Sequence, residues 1–152
     1  MNARIDAVAS LLPDVPKAIQ TLYKSAHSAG VSAEVLGLVH LRVSQINGCS
    51  ACVDSGARGL SKAGTSDQRL FIVAAWRETE WFSEPERAAL ALAEAATRMA
   101  DRPDPVPDDI WQEAAKHFSE TELAALVLWI ATSNFFNRLN VTTRQPAGQD
   151  WG

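Results

Sequence analysis

The chain has 152 residues, 47% hydrophobic and 21% charged, the balance of a globular protein able to bury a substantial core in one domain spanning 1–152. A net charge of −4, a pI near 5.3 and the lack of a basic patch exclude electrostatic binding of nucleic acid. No apolar run approaches the roughly 18 residues of a membrane span, and Met1–Asp6 lacks the apolar core of a signal peptide, so a cytoplasmic protein with no membrane partner is expected.

Residues 1–14 read as an irregular lead-in with an apolar patch at Val8, Leu11 and Leu12, ended by Pro13. Pro16 suits the first turn of a helix, and Ile19, Leu22 and Tyr23 recur at helical spacing until Gly30. Ser32-Ala33-Glu34 starts a second helix that carries Val35, Leu38, Val39 and Val43 to an Asn47-Gly48 break, where both residues tolerate positive φ. A third helix runs from about Cys49 to Lys62, closed by Gly64, and Thr65-Ser66-Asp67 caps a short apolar helix through Phe71, Val73 and Trp76.

A polar and aromatic loop from Arg77 to Ser83 carries Trp81 and Phe82. Ser83-Glu84-Pro85-Glu86 opens an alanine-dominated helix suited to close packing, with Leu90, Leu92 and Met99 filling gaps. Prolines 103, 105 and 107 force a loop, a helix spans about Asp108–His117, and Ser119 with Glu122 has the capping-box spacing. The last helix, about Glu120–Asn140, is apolar almost all round from Leu123 to Ala131 and reads as central. Its stripe of Leu123, Val127, Ile130, Asn134 and Asn137 places two amides on the core face, where they need partners, expected on a neighbouring backbone. No strand alternation appears, so the fold class is all-α, a compact bundle of six to seven helices.

The chemistry concentrates in Gln45-Ile46-Asn47-Gly48-Cys49-Ser50-Ala51-Cys52, which holds both cysteines of the chain. A helix N-terminus carries about half a positive charge and favours thiolate. Positions i and i+3 share a face, close enough that a small adjustment permits a disulfide. C-x-x-C with no secretory signal reads as redox-active. The alternatives are two small buried hydrophobes, a permanent disulfide across a loop too short to remove much chain entropy, or a zinc site. His27, His40 and His117 do not lie at ligand spacing after Cys52, so no metal is expected. Asn140-Val141-Thr142 matches a glycosylation acceptor by chance.

The segment Leu41-Arg42-Val43-Ser44-Gln45-Ile46-Asn47-Gly48-Cys49-Ser50-Ala51-Cys52-Val53-Asp54 resembles the core motif of the carboxymuconolactone decarboxylase family, in its alkylhydroperoxidase D-like branch. The resemblance continues through Asp67–Leu70, Ala75–Glu78, Glu86–Leu90 and Asn134–Leu139, covering roughly residues 15–144. It implies a small helical subunit in a homo-oligomer, trimer or hexamer, that binds no cofactor. It also implies reduction of small peroxides by the C-x-x-C pair, recharged by a dithiol reductant protein of lipoyl or thioredoxin-like type.

In that family the second cysteine attacks, here Cys52, and the first resolves, here Cys49. A glutamate twelve residues before the first cysteine and a histidine four after the second relay protons; these positions are Gly37 and Gly56. General acid–base help is typically worth about 10²–10⁴-fold, so its loss predicts a weak peroxidase or none. His40 and Glu34, one turn either side of Gly37, are the candidate replacements. Asp54 matches the motif and reads as a structural first-turn acid. The runner-up is a scaffold, small-ligand-binding or redox-sensing protein, with the two glycines leaving an open pocket. A decarboxylase has little support in a chain that keeps both cysteines.

Overall fold

The computed structural model describes residues 2–149. Eight α-helices follow in order: α1 Val8–Leu11, α2 Val15–His27, α3 Ala33–Asn47, α4 Ser50–Lys62, α5 Asp67–Ile72, α6 Glu84–Thr97, α7 Asp108–His117 and α8 Glu120–Thr143. A 3-10 segment, Val73–Glu78, joins α5 to α6, and the described residues contain no strand. No helix among them is long and apolar enough to cross a membrane.

Helix starts fall where the sequence marks them. The hydroxyls of Ser32, Ser66, Ser83 and Ser119 accept from the N–H groups of Val35, Arg69, Glu86 and Glu122. Glu86 and Glu122 return the bond to their caps, so two starts are complete capping boxes. The stop at Asn47-Gly48 is also as expected, since Gly48 is left-handed at φ 67° and lets the chain turn back into α4.

α3 packs on α4, α6 and α8 and is the hub of the bundle. One face sends Leu36, Val39 and Val43 into a core with Leu92, Leu126, Trp129 and Ile130. Another sends Leu38 and Leu41 against Leu60, Val73, Trp76, Phe82 and Leu90. Small residues make this approach possible: Ala88, Ala89 and Ala93 of α6 are buried, and the Trp129 indole donates to the Leu36 carbonyl at 2.9 Å. That bond ties α8 to α3.

Tertiary packing departs from the expected elements in several places. The lead-in contains α1, and the helix drawn to Trp76 breaks at Val73, with Ala75 outside helical geometry. Long-range polar bonds explain the break. Arg87 takes the carbonyls of Trp76 and Thr79 at 2.9 and 2.8 Å, while the Trp76 indole donates to Glu94 at 3.1 Å. Of the loop aromatics only Trp81 is exposed; Phe82 is buried beneath the Arg69 guanidinium. Met99 fills no gap, being 54% exposed. α8 is central on one side only, because Val127, assigned to the core stripe, is 44% exposed, as are Phe135 and Val141 at 38% and 47%.

Candidate active site

Gly48 delivers Cys49 to the N-cap of α4, where its Sγ accepts from the Cys52 N–H at 3.3 Å. Cys49 and Cys52, with Cα atoms 5.3 Å apart, are joined in a disulfide. Both sulfurs are buried with Ala51 under the ring of Phe136. The first turn of a helix thus holds the pair at bonding distance without displacing the backbone, and reduction would expose a thiolate to the unpaired N–H groups at the positive end of α4.

α8 fixes the turn through amides. Asn47 donates to the side-chain oxygens of Asn134 and Asn137 at 2.9 and 2.8 Å, and Asn137, fully buried, donates to Ser44 Oγ at 3.0 Å. Asn134 also donates to Ile130 O and to Thr97 Oγ1. The two amides therefore have partners, as burial requires, but these are chiefly side chains of α3 rather than its backbone. One step further, Asn140 Nδ2 lies 3.3 Å from Cys52 Sγ. The glycosylation match at Asn140 falls within helix α8, where the amide is half-buried against sulfur.

The structure brings His40 to this end of the bundle and leaves Glu34 away from it. Glu34 Oε1 accepts from Thr65 and Arg69, and Arg69 continues to Glu86. Its position fifteen residues before Cys49 sets it about 20 Å away along the helix axis. His40 packs between the rings of Trp129 and Phe136, centroids 5.8 and 6.3 Å away, and its Nδ1 meets the buried Ser133 Oγ at 2.9 Å. Burial, and secondarily the neighbouring His27, lowers the His40 pKa to about 4, so the ring is neutral at pH 7. Nδ1–H donation to Ser133 is the tautomer that leaves Nε2 free to accept.

The positions of the missing relay are filled. A Cβ at Gly56 would sit 3.2 Å from His40 Cδ2 and 3.9 Å from its Nε2, and one at Gly37 only 2.6 Å from Leu60 Cδ2. The glycines do not open a pocket, because His40 and Leu60 occupy their space. Gly56 is one turn after Cys52 on α4, so a side chain there shares its face. The imidazole of α3 therefore stands where the side chain of residue 56 would start, one turn from the sulfur.

Asp54 has a structural part: it accepts from Arg58 and from the Gly148 N–H at 2.8 and 2.9 Å, and the backbone bond foremost holds its carboxyl below the usual range. Sequence reasoning missed Ser133, Phe136 and Asn140. The spacing of Asn134, Asn137 and Asn140 by threes on one helix carried a signal, since such residues share a face.

A family model described as "Carboxymuconolactone decarboxylase family" matches residues 13–95, more than half of the chain. The chain belongs to the carboxymuconolactone decarboxylase family. Among its relatives, YdfG of Bacillus subtilis is 30% identical over 131 residues, 86% of this chain and 88% of YdfG. YnjA of Escherichia coli is 34% identical over 113 residues, 74% of this chain and 60% of YnjA. The crystal structure of ATU0492 from Agrobacterium tumefaciens superposes with a TM-score of 0.89 at 32% identity, covering 98% of this chain and all of that one. It is described as a protein of unknown function and candidate antioxidant defence protein AhpD. The debrominase Bmp8, at 22% identity and TM-score 0.78 over 89% of this chain and 72% of its own, shares the fold. Within the carboxymuconolactone decarboxylase family the likeness is thus to the alkylhydroperoxidase D-like branch.

Proposed function

We propose that the protein is a thiol–disulfide oxidoreductase that reduces small hydroperoxides, with Cys52 attacking and Cys49 resolving. The observation that carries this is the disulfide itself, closed within the first turn of α4, with a neutral imidazole one turn further along that helix at Gly56. The Cys52 thiolate attacks the terminal oxygen of the hydroperoxide, the O–O bond breaks, and the alcohol leaves with a proton while Cys52 becomes a sulfenic acid. The Cys49 thiol then attacks that sulfur, releasing water and forming the disulfide. An external dithiol, of lipoyl or thioredoxin-like type, reduces it and is itself oxidised to a disulfide.

His40 takes the Cys52 proton at Nε2 and gives it to the leaving oxygen. A base of pKa about 4 is weak in the disulfide form, but a thiolate beside it favours the imidazolium and raises that value. Turnover of a small organic hydroperoxide with a dithiol donor tests both parts. His40→Ala is expected to lower kcat/KM by about a hundredfold, the low end for general acid–base catalysis. Gly56→His should recover part of that on the His40→Ala background and fail with His40 present, where the two side chains collide. Equal rates for wild type and His40→Ala would remove His40 from the mechanism.

The burial of both sulfurs, 1% and 3% exposed as residues, favours a second reading in which the pair senses redox state without turnover. A wild-type rate equal to that of donor and peroxide alone would select it.

The working form in this proposal is a cytoplasmic homo-oligomer, trimer or hexamer. Ala124, Val127, Ala131 and Phe135 follow one exposed face of α8, a continuous apolar strip that a second copy would cover. Light scattering at micromolar concentration should give several chain masses, falling towards one in Val127→Asp/Phe135→Asp. A single-chain mass for the wild type would overturn the assembly.

A further inference from the structure

We infer that Asn140 is a catalytic residue of this site, its side-chain amide stabilising the Cys52 thiolate. The inference rests on the thiol-redox reading above and gives that site a residue outside the C-x-x-C segment and its proton relay.

The geometry is direct. Asn140 Nδ2 is 3.3 Å from Cys52 Sγ, within the range of an N–H···S hydrogen bond, and the residue is half-buried. The turn of α8 that carries the amide is also held in advance. Asn137, one turn earlier on α8, is clamped between Asn47 and Ser44, and Asn134 between Asn47, Ile130 and Thr97. The backbone of Asn140 is fixed too, because its carbonyl accepts the Gln145 N–H at 2.9 Å where α8 ends. An amide so placed needs no rearrangement when charge appears on the sulfur, the condition under which a donor favours the charged state most.

Sulfur in a disulfide is a poor acceptor, whereas a thiolate is a full anion, so the same contact strengthens when the pair is reduced. The bond then serves twice. It lowers the pKa of Cys52 as the attacking thiol, and it stabilises Cys52 as the departing thiolate when an external dithiol attacks Cys49 Sγ and the S–S bond breaks. In that exchange the donor's first sulfur forms a mixed disulfide with Cys49. Its second displaces Cys49 as thiolate, leaving oxidised donor and reduced pair.

The other titratable or charged groups at this end of the bundle are Cys49, His40 on α3, and the Asp54–Arg58 ion pair on α4. α8 contributes amides, the hydroxyl of Ser133 and the exposed guanidinium of Arg138, with exposed Arg144 at its C-cap and exposed Arg4 donating to the Thr142 carbonyl. Asp54 and Arg58 offset each other and the three arginines are exposed to screening solvent, so the α4 terminus, His40 and Asn140 are the groups expected to set the thiol pKa.

The test measures iodoacetamide alkylation against pH on reduced protein carrying Cys49→Ser, so that Cys52 is the single thiol. Asn140→Leu removes the donor without adding charge, and Asn140→Asp replaces it with an acceptor of the same shape. Circular dichroism confirms that each variant is folded. Asn140→Leu is expected to raise the Cys52 pKa by about one unit, a roughly tenfold loss of thiolate at neutral pH, and Asn140→Asp by more. A Leu variant that titrates with the parent overturns the inference, even if the Asp variant is shifted, because added charge alone would then explain it. Alkylation needs no peroxide, so absence of peroxidase turnover would refute the proposed function while leaving this measurement decisive for Asn140.

Discussion

Cys52→Ser is expected to reduce hydroperoxide turnover to that of donor and peroxide mixed without protein, a loss of several orders of magnitude, as when any nucleophile is removed. A serine hydroxyl at a helix N-terminus gains the same half charge, but its pKa is far too high for that help to ionise it. Cys49→Ser should fail differently. Cys52 would still take one oxygen, but no thiol would stand next to it to expel water, so mass spectrometry should find Cys52 as sulfenic acid or as a mixed disulfide with the donor. The burial of the pair sharpens the expectation, since a shielded sulfenic acid meets few external thiols. If instead Cys52→Ser trapped a sulfenic acid or mixed disulfide on Cys49 while Cys49→Ser took up no oxygen, the roles of the two sulfurs would be reversed.

The second large effect is on stability. Glu94 is buried in the last turn of α6, surrounded by Arg42, Arg77 and Arg98 and by the Trp76 indole. Glu94→Ala would leave Arg42, whose side chain is 12% exposed, as a buried charge without its carboxylate. Breaking a buried pair from one side costs about 3–5 kcal/mol. For a chain of this length that lowers Tm by on the order of 10 °C. A Tm within about 2 °C of wild type would show that Arg42 finds solvent or another acceptor.

Acid should act on the same cluster. Burial pushes the Glu94 carboxyl up, but hydrogen bonds from Arg77, Arg42 and Trp76 outweigh it and hold the pKa below 4.5. Its contribution is thus complete above the unfolded value and lost as pH falls through the folded one. His40 acts in an earlier window. With its pKa depressed from 6.5 to about 4, the unfolded chain binds a proton there that the native ring refuses, so stability falls as pH drops between those values. Denaturant midpoints against pH should therefore flatten between 6.5 and 4 in His40→Phe, and below that range in Glu94→Gln.

What the sequence determined by itself is local or periodic. The serine caps, the Asn47-Gly48 stop and the C-x-x-C spacing depend on residues within a few positions of one another, so the start of α4 and the reach of Cys49 to Cys52 were legible from the chain. What tertiary structure decided depends on partners far away in sequence. Val127 was assigned to the core because α8 is apolar on nearly every side, and only the packing of α3, α6 and α2 settles which side stays open. The helix through Trp76 broke because Arg87 and Glu94 claimed its carbonyls and indole. Glu34 and His40 flank Gly37 symmetrically along the chain. Yet Thr65 and Arg69 hold the first in an ion network, while Ser133, 93 residues from His40, holds the second over Gly56. A helix fixes which residues share its face, but not what lies opposite, and it is the opposite faces of α3, α4 and α8 that bring an amide to Cys52 and an imidazole to Gly56, one turn along α4.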